Sequence, residues 1–184
     1  MKNTPCSCRR RHLLGGLAAV AALGALGGLA GCGDQGSAQS LVPVEIDRST
    51  SCELDGMLLS DYPGPKAQVH YAGQAQPSFF CDTVELFSTL LAGEQVRAAK
   101  AIYVQDMGKA QWEQPVGHWI DAKTAVYVVG SKRHGSMGPT IASFAQEADA
   151  VKFAAEYGGK VLRFAEITPD MVDLSGAALH DSRM

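Results

Sequence analysis

The sequence lacks the motifs that mark the common enzyme and metal-site classes. It has five cysteines and five histidines, yet no Cys-x-x-Cys pair of the kind that a thiol oxidoreductase uses. No G-x-S-x-G elbow of a serine hydrolase occurs, and the histidines show no paired spacing typical of a zinc site. A basic stripe, the usual footprint of nucleic-acid binding, is also absent. These absences argue against a catalytic set and against a nucleic-acid partner.

Residues 1–31 have the pattern of an export signal. Basic residues precede the uncharged segment Leu13–Ala30, and the sequence Leu29-Ala30-Gly31-Cys32 matches a bacterial lipobox. We therefore expect cleavage before Cys32 and lipidation of its thiol. An uncleaved membrane anchor is the alternative, because an apolar segment of 18 residues approaches the length of a membrane span. The five glycines in this segment argue against a stable helix.

The chain that remains after this cleavage is acidic and poor in cysteine. Four of the 16 Lys and Arg and none of the 19 Asp and Glu lie in residues 1–31, which leaves a formal charge of −7. An anionic surface favours cations and basic proteins as partners. Cys52 and Cys81 are then the only unmodified cysteines, and in an oxidising compartment a disulfide between them is one alternative.

The residues after Cys32 predict an α+β fold of two β-β-α-β lobes. A Gly/Ser/Gln-rich lipidated tether, 32–48, precedes them. In the first lobe, 49–110, alternating strand residues precede the helical segment "DTVELFSTLLAGE", with Asp82 as its N-cap, and the strand "AIYVQD" follows. The second lobe, 111–174, repeats this order with "HWIDA", "AVYVVG", the helix "SFAQEADAVKFAAEYGG" and "KVLRFAEI". Each lobe should carry its helix on one face of an antiparallel sheet, and residues 175–184 should be a disordered tail.

Soft sulfur ligands are the remaining chemistry of the sequence. Cu(I) prefers thiolate and thioether ligands to harder donors, and two or three of them suffice. Cys52 offers a thiol, and Met137 lies in "GSMGP", where glycine and proline favour a loop over a helix or strand. Met57 has two interpretations: Gly56 could turn it toward Cys52, or "MLL" could begin a buried strand.

Cys81 also has two interpretations. It precedes a predicted helix, where the positive end of the helix dipole favours a thiolate. It also follows Phe79 and Phe80, which favours a buried and inert cysteine. We expect the buried form, and pairing of Cys81 with Cys52 would abolish a copper site.

Four motifs in order resemble the NosL family, copper-binding lipoproteins of nitrous oxide reductase maturation: "CELDGM", "FFCDTVELF", "WIDAKTAVYVVGS" and "GSMGP". The resemblance implies a periplasm-facing Cu(I) chaperone with a fold similar to that of organomercurial lyase. It also implies that Cys52 and Met137 bind the metal. Many relatives have Cys-x-x-Cys-Gly-Met where this chain has Asp55, so Met57, His134 or water is left to complete the ligand set.

The resemblance also implies the partners and the location. A lipid-anchored monomer would receive Cu(I) from a copper-supplying envelope protein and pass it to apo nitrous oxide reductase or its assembly complex, without being an enzyme. Gly33 rather than Asp after Cys32 favours the outer membrane. Two alternatives stay open: an organomercurial-lyase-like enzyme that uses Cys52, Asp55 and Cys81, and a structural envelope lipoprotein with a Cys52–Cys81 disulfide.

Overall fold

A computed structural model describes residues 40–93 and 97–172. The expected export signal, Cys32, the first part of the tether and the expected tail at 175–184 lie outside the described residues. All described residues fall within one compact unit, Gly36–Met184. In this part of the chain, no helix combines the length and the apolar character that crossing a bilayer requires.

The first half of the described chain forms a β-β-α-β unit with one added strand. Its elements are β1 (Ala67–Tyr71), β2 (Ser78–Phe80), α1 (Thr83–Leu91), β3 (Ala99–Gln105) and β4 (Trp119–Asp121). The four strands make an antiparallel sheet in the order β2-β1-β3-β4. The central strand β1 is buried along its whole length.

The second half repeats this arrangement around an inserted hairpin. Its elements are β5 (Val126–Val129), β6 (His134–Gly135), β7 (Gly138–Pro139), β8 (Ala142–Phe144), α2 (Glu147–Tyr157) and β9 (Lys160–Arg163). The sheet order β8-β5-β9 matches β2-β1-β3, since in both units the first strand is central and the next two flank it. The predicted α+β class and the repeated β-β-α-β order are therefore confirmed. The hairpin of β6 and β7 is a separate two-stranded sheet with Ser136 and Met137 at its turn.

One strand prediction was wrong. The strand in "HWIDA", expected in the second lobe, is β4 and pairs with β3 through Val104 and Ile120. The reason is that β3, with seven residues, is paired with β1 on one side only, and β4 satisfies the hydrogen-bonding groups of its other edge. Of the two interpretations of Met57, the structure supports the turn toward Cys52. "MLL" does not begin a buried strand, because Leu58 forms an isolated bridge with Ser51 and a short 3-10 helix follows at Leu59–Asp61. The lobe boundaries themselves stay a prediction.

The N-terminal end of α1 follows the predicted cap, whereas α2 begins at Glu147 because Ser143 and Phe144, expected in this helix, belong to β8. Asp82 caps α1, because its side chain accepts a hydrogen bond from the Val84 N–H at 2.9 Å. Gly158 ends α2 at a φ of +77°, a conformation that glycine adopts without strain. The first turn of α1 is buried on all sides, including Glu85, and this burial places a carboxylate inside the protein.

Among residues 40–93 and 97–172, the buried side chains form three apolar clusters. The largest joins the two halves, with the rings of Phe87 and Tyr127 5.0 Å apart between centroids. A second lies between α2 and its sheet and includes Phe144. The third contains Cys52, Leu59 and Cys81, and it is here that the candidate chemistry lies.

Candidate metal centre

A tight turn holds Cys52 and Met57 side by side. The Cys52 N–H donates to the Met57 carbonyl at 2.8 Å, and the Gly56 N–H donates to the Cys52 carbonyl at 3.0 Å. Gly56 has a φ of +76°, which favours glycine at this position. The Glu53 N–H donates to the Phe79 carbonyl at 2.8 Å, so the turn is fixed to the end of β2, next to Cys81.

Two buried thiols share one carboxylate oxygen. Cys52 Sγ and Cys81 Sγ each donate to Glu85 Oε2 at 3.1 Å. Cys52 is 4% exposed, Cys81 0% and Glu85 2%. No disulfide joins the two described cysteines, both of which are free. A shared acceptor means that both thiols point to the same place.

Four potential ligands cluster at this point. One ligand atom from each of Cys52, Asp55, Cys81 and Glu85 lies within 4.8 Å of the others. Asp55 is the exposed member and connects the cluster to solvent. His134, a candidate from the sequence, is exposed on β6 and is not one of this group.

Both predicted thioethers lie beside the thiols. Met57 and Met137 are partly buried and pack against the cluster of Cys52, Leu59 and Cys81. The structure thus brings together Cys52, Met57 and Met137, which are separated by up to 85 positions in the sequence. That these three bind copper stays a prediction.

Buried polar groups fix the turn that carries Met137. Ser136 Oγ donates to the Cys81 carbonyl at 2.5 Å, and the Ser136 N–H donates to Asp82 Oδ2 at 3.1 Å. Thr140 Oγ1, just after the hairpin, donates to Asp82 Oδ1 at 2.6 Å. Asp82, which directly follows Cys81, therefore both caps α1 and holds in place the turn that carries Met137, called the methionine turn below.

A fully buried lysine, Lys66, hydrogen-bonds to the backbone of one of the two cysteines. Lys66 Nζ donates to the carbonyls of Pro63 and Cys81 at 2.8 and 2.9 Å and to Ser136 Oγ at 2.8 Å. Three acceptors suit an ammonium group, which has three N–H donors. Burial lowers the pKa of Lys66 to about 8, while the charge of Asp82 opposes that shift. Lys66 is therefore mainly a cation at pH 7.

The environment shifts the pKa values of two acidic groups. The hydrogen bond with Cys52, burial and the negative charge of Glu85 all raise the pKa of Cys81, so it is a thiol in the metal-free protein and not the thiolate that a helix dipole alone would favour. Burial raises the pKa of Asp82 to about 6, against the opposing effect of its hydrogen bonds from Thr140 and Val84. Asp82 is thus mainly ionised at pH 7.

The hairpin is packed so closely that Gly135 has no room for a side chain. A Cβ there would lie 2.2 Å from Asp82 Oδ2 and 2.9 Å from Thr140 Cβ. We expect Gly135→Ala to lower the free energy of unfolding by about 1–3 kcal/mol, the usual cost of overpacking. Urea denaturation of the reduced protein would measure it.

Gly93→Ala is the matched control for this prediction. A Cβ at Gly93 has nothing within 4 Å, so this variant should unfold at the same urea concentration as the wild type. Equal unfolding midpoints for both variants would mean that the hairpin tolerates displacement from Asp82.

Three features of the site were not predicted from the sequence. Glu85 stands four residues after Cys81 on α1, a spacing that puts side chains on one helix face, and this was the signal available. Lys66 comes directly before β1, and nothing local predicts that it is buried. Cys81 is buried, as expected, but the contact of its thiol with the same Glu85 oxygen that Cys52 contacts was not predicted.

Comparison with known proteins supports a family assignment. The family model described as NosL matches residues 43–172. The copper-binding lipoprotein NosL of Stutzerimonas stutzeri is 41% identical over 152 residues, 81% of this chain and 78% of the relative. The protein of the same name from Achromobacter cycloclastes is 41% identical over 139 residues, 73% of this chain and 72% of the relative.

A solved structure is similar over the same region. The crystal structure of the copper chaperone NosL from Shewanella denitrificans superposes with a TM-score of 0.68 at 41% identity, covering 71% of this chain and 98% of that one. The family model covers more than half of the present chain, and the relatives align over most of their own lengths. The chain therefore belongs to the NosL family.

Proposed function

We propose that this protein is a lipid-anchored, periplasm-facing chaperone that binds Cu(I) and delivers it for assembly of the copper centres of nitrous oxide reductase. The observation that carries the proposal is the buried pair of thiols with Met57 and Met137 packed beside it. The names of the relatives, copper-binding lipoprotein and copper chaperone, support it. Delivery to nitrous oxide reductase rests on the family resemblance.

The chemistry of the cluster suits Cu(I) as cargo. Thiolate and thioether sulfur select a soft ion over Mg²⁺ or Ca²⁺, which take oxygen ligands. A carrier must also release its ion, and the exposed residues Glu53 to Gly56 next to Cys52 leave one side of the site open to the ligands of a receiver. Cys52, Met137 and Met57 are the ligands that we propose.

An organomercurial-lyase-like enzyme requires Cys52, Asp55 and Cys81 to meet, and they do. The relatives are nevertheless named as a copper-binding protein and a chaperone, not as an enzyme, and the chain is not assigned to an enzyme class. We expect no cleavage of a carbon–mercury bond. Catalytic release of the hydrocarbon from an organomercurial over many turnovers would reverse this conclusion.

A copper titration tests the proposal directly. The full-length protein, reduced and kept anaerobic in detergent, would compete with a chromogenic Cu(I) chelator. We expect one Cu(I) per chain and transfer of that copper to apo nitrous oxide reductase. A protein that leaves all copper with the chelator, or that contains no free thiols before reduction, would contradict the proposal and favour the structural lipoprotein.

Lipid anchoring gives a separate prediction. Cys32→Ala should move the protein from the membrane fraction to the soluble fraction of the cell envelope, because membrane affinity would come from the acyl chains. Cys32 precedes the family match at residues 43–172, so the copper affinity of the variant should equal that of the wild type. Fractionation with immunoblotting measures this, and continued sedimentation with membranes would argue for an uncleaved anchor at Leu13–Ala30.

A further inference from the structure

The proposed ligands leave Cys81 without a role, although its thiol lies at the centre of the site. We propose that Cys81 is a second thiolate ligand of the transported copper, which is held between Cys52 Sγ and Cys81 Sγ. This inference rests on the proposed copper-binding function and specifies the ligand set of the same site.

The positions of the two sulfur atoms fit a shared ion. Both thiols donate to the same oxygen, Glu85 Oε2, at 3.1 Å, and the two sulfurs lie within 4.8 Å of each other. Metal–thiolate bonds of about 2.3 Å, the length found for zinc, would separate two sulfurs on a linear ion by about 4.6 Å. A separation of no more than 4.8 Å therefore allows both sulfurs to bind one Cu(I).

The surrounding side chains favour a soft ion over zinc. Zn²⁺ would take four ligands, and the two carboxylates of Asp55 and Glu85 could complete a tetrahedral set. The thioethers of Met57 and Met137 pack on the same cluster, and thioether sulfur favours Cu(I). Zinc binding is accordingly an outcome of the test and not the proposal.

Charge in the protein interior also supports a second thiolate. Cu(I) with two thiolates carries one net negative charge, and a buried charge is costly without a partner. Lys66 is a buried cation that donates to the carbonyl of Cys81 itself. Its charge interacts favourably with the carboxylates of Asp82 and Glu85, and would do so with thiolates at Cys81 and Cys52. Lys66 therefore offsets part of the negative charge that a two-thiolate complex would add beside Asp82 and Glu85.

Binding involves no oxidation or reduction. Two copper–sulfur bonds form, two S–H bonds break, two protons leave for solvent, and copper stays in the +1 state. Thiols must lose their protons to bind metal, so the hydrogen bonds to Glu85 are replaced as the ion enters.

The two thiols differ in access, which suggests an order of events. Cys52 adjoins the exposed residues Glu53 to Gly56, whereas Cys81 is 0% exposed. Copper would meet Cys52 first and then reach Cys81. On release, the ligands of the receiving protein would replace Cys52 first and Cys81 last.

The test compares Cys81→Ala and Cys81→Ser with Ile102→Val, which removes one heavy atom from a buried side chain of the first sheet, away from the site. The reduced, full-length protein would be titrated with Cu(I) against a chromogenic chelator. Loss of a partner outside the ligand set typically weakens metal binding 10–100-fold, so loss of Cys81 as a ligand should exceed about 100-fold. The thiolate-to-Cu(I) absorption band should fall by about half, and Ile102→Val should change neither quantity.

A variant that retains both thiols keeps the test independent of how the Cys81 variants fold. In the double variant Met57→Leu, Met137→Leu, the sulfur neighbours of copper in X-ray absorption can come only from Cys52 and Cys81 within this cluster. Two sulfur neighbours support the proposal, whereas one sulfur neighbour overturns it. The proposal also falls if Cys81→Ser binds like the wild type while Cys52→Ser does not, which would leave the proposed function intact. A wild-type chain that binds zinc but no Cu(I) would overturn both.

Discussion

Replacing Cys52 by serine should weaken Cu(I) binding by more than about 100-fold, beyond the 10–100-fold that loss of a partner outside the ligand set costs. The substitution exchanges a soft sulfur for a hard oxygen, while its hydroxyl can still donate to Glu85 Oε2 as the thiol does. The fold should therefore survive. Competition with a chromogenic Cu(I) chelator measures the affinity, and circular dichroism checks the fold.

Met137→Leu should have a smaller effect in the same assay, because it removes a neutral thioether and conserves most of the volume. Met57→Leu tests whether Met57 is a ligand: a large loss of copper affinity would make it one, and a small loss would leave it as a packing residue beside Cys52.

The copper affinity of the wild type should fall as the pH drops, since each thiol must lose a proton to bind the metal. Should Cys52→Ser and Met137→Leu both bind like the wild type, the metal site lies elsewhere.

Local patterns were sufficient for much of the fold. The Asp82 cap of α1, the glycine that ends α2, the alternation in β1 and the repeated β-β-α-β order depend on residues that are neighbours in sequence. The placement of β4 was missed because its pairing with β3 spans the long intervening segment 106–118 and is not specified by the residues of β4 themselves. An edge strand of three residues carries too few side chains to specify its sheet.

Some residues of the candidate site could be identified from the sequence, and others could not. Cys52 and Met137 were identified by chemistry and loop context, and the structure brings them together with Met57. Glu85 and Lys66 were not identified, because their significance depends on burial and on partners such as Ser136, 70 positions away from Lys66. A buried charge is informative only when its neighbours are known, and sequence alone does not provide them.

Asp82 links the thiol site to the methionine turn, and Asp82→Asn should break that link. Its Oδ1 accepts from Val84 and Thr140, and its Oδ2 accepts from the Ser136 N–H. An asparagine has one acceptor oxygen, so in either orientation of its amide a buried N–H loses its partner. We expect a loss of about 1–3 kcal/mol in the free energy of unfolding, the usual cost of such a group.

Asp82→Asn should also lower copper affinity by about tenfold, because Asp82 positions Met137 and does not itself contact the ion. Asp106→Asn is the matched control. Asp106 is equally buried, but its Oδ1 alone accepts from the N–H groups of Gly108 and Ala145. An asparagine at this position therefore keeps both hydrogen bonds and should leave copper affinity unchanged.

Asp82→Asn should also add nothing to the loss of copper affinity caused by Met137→Leu, because without the Met137 thioether the position of the turn no longer affects the metal. Additive losses in the double variant would mean that Asp82 acts on the thiols directly, through Cys81, and not through the methionine turn.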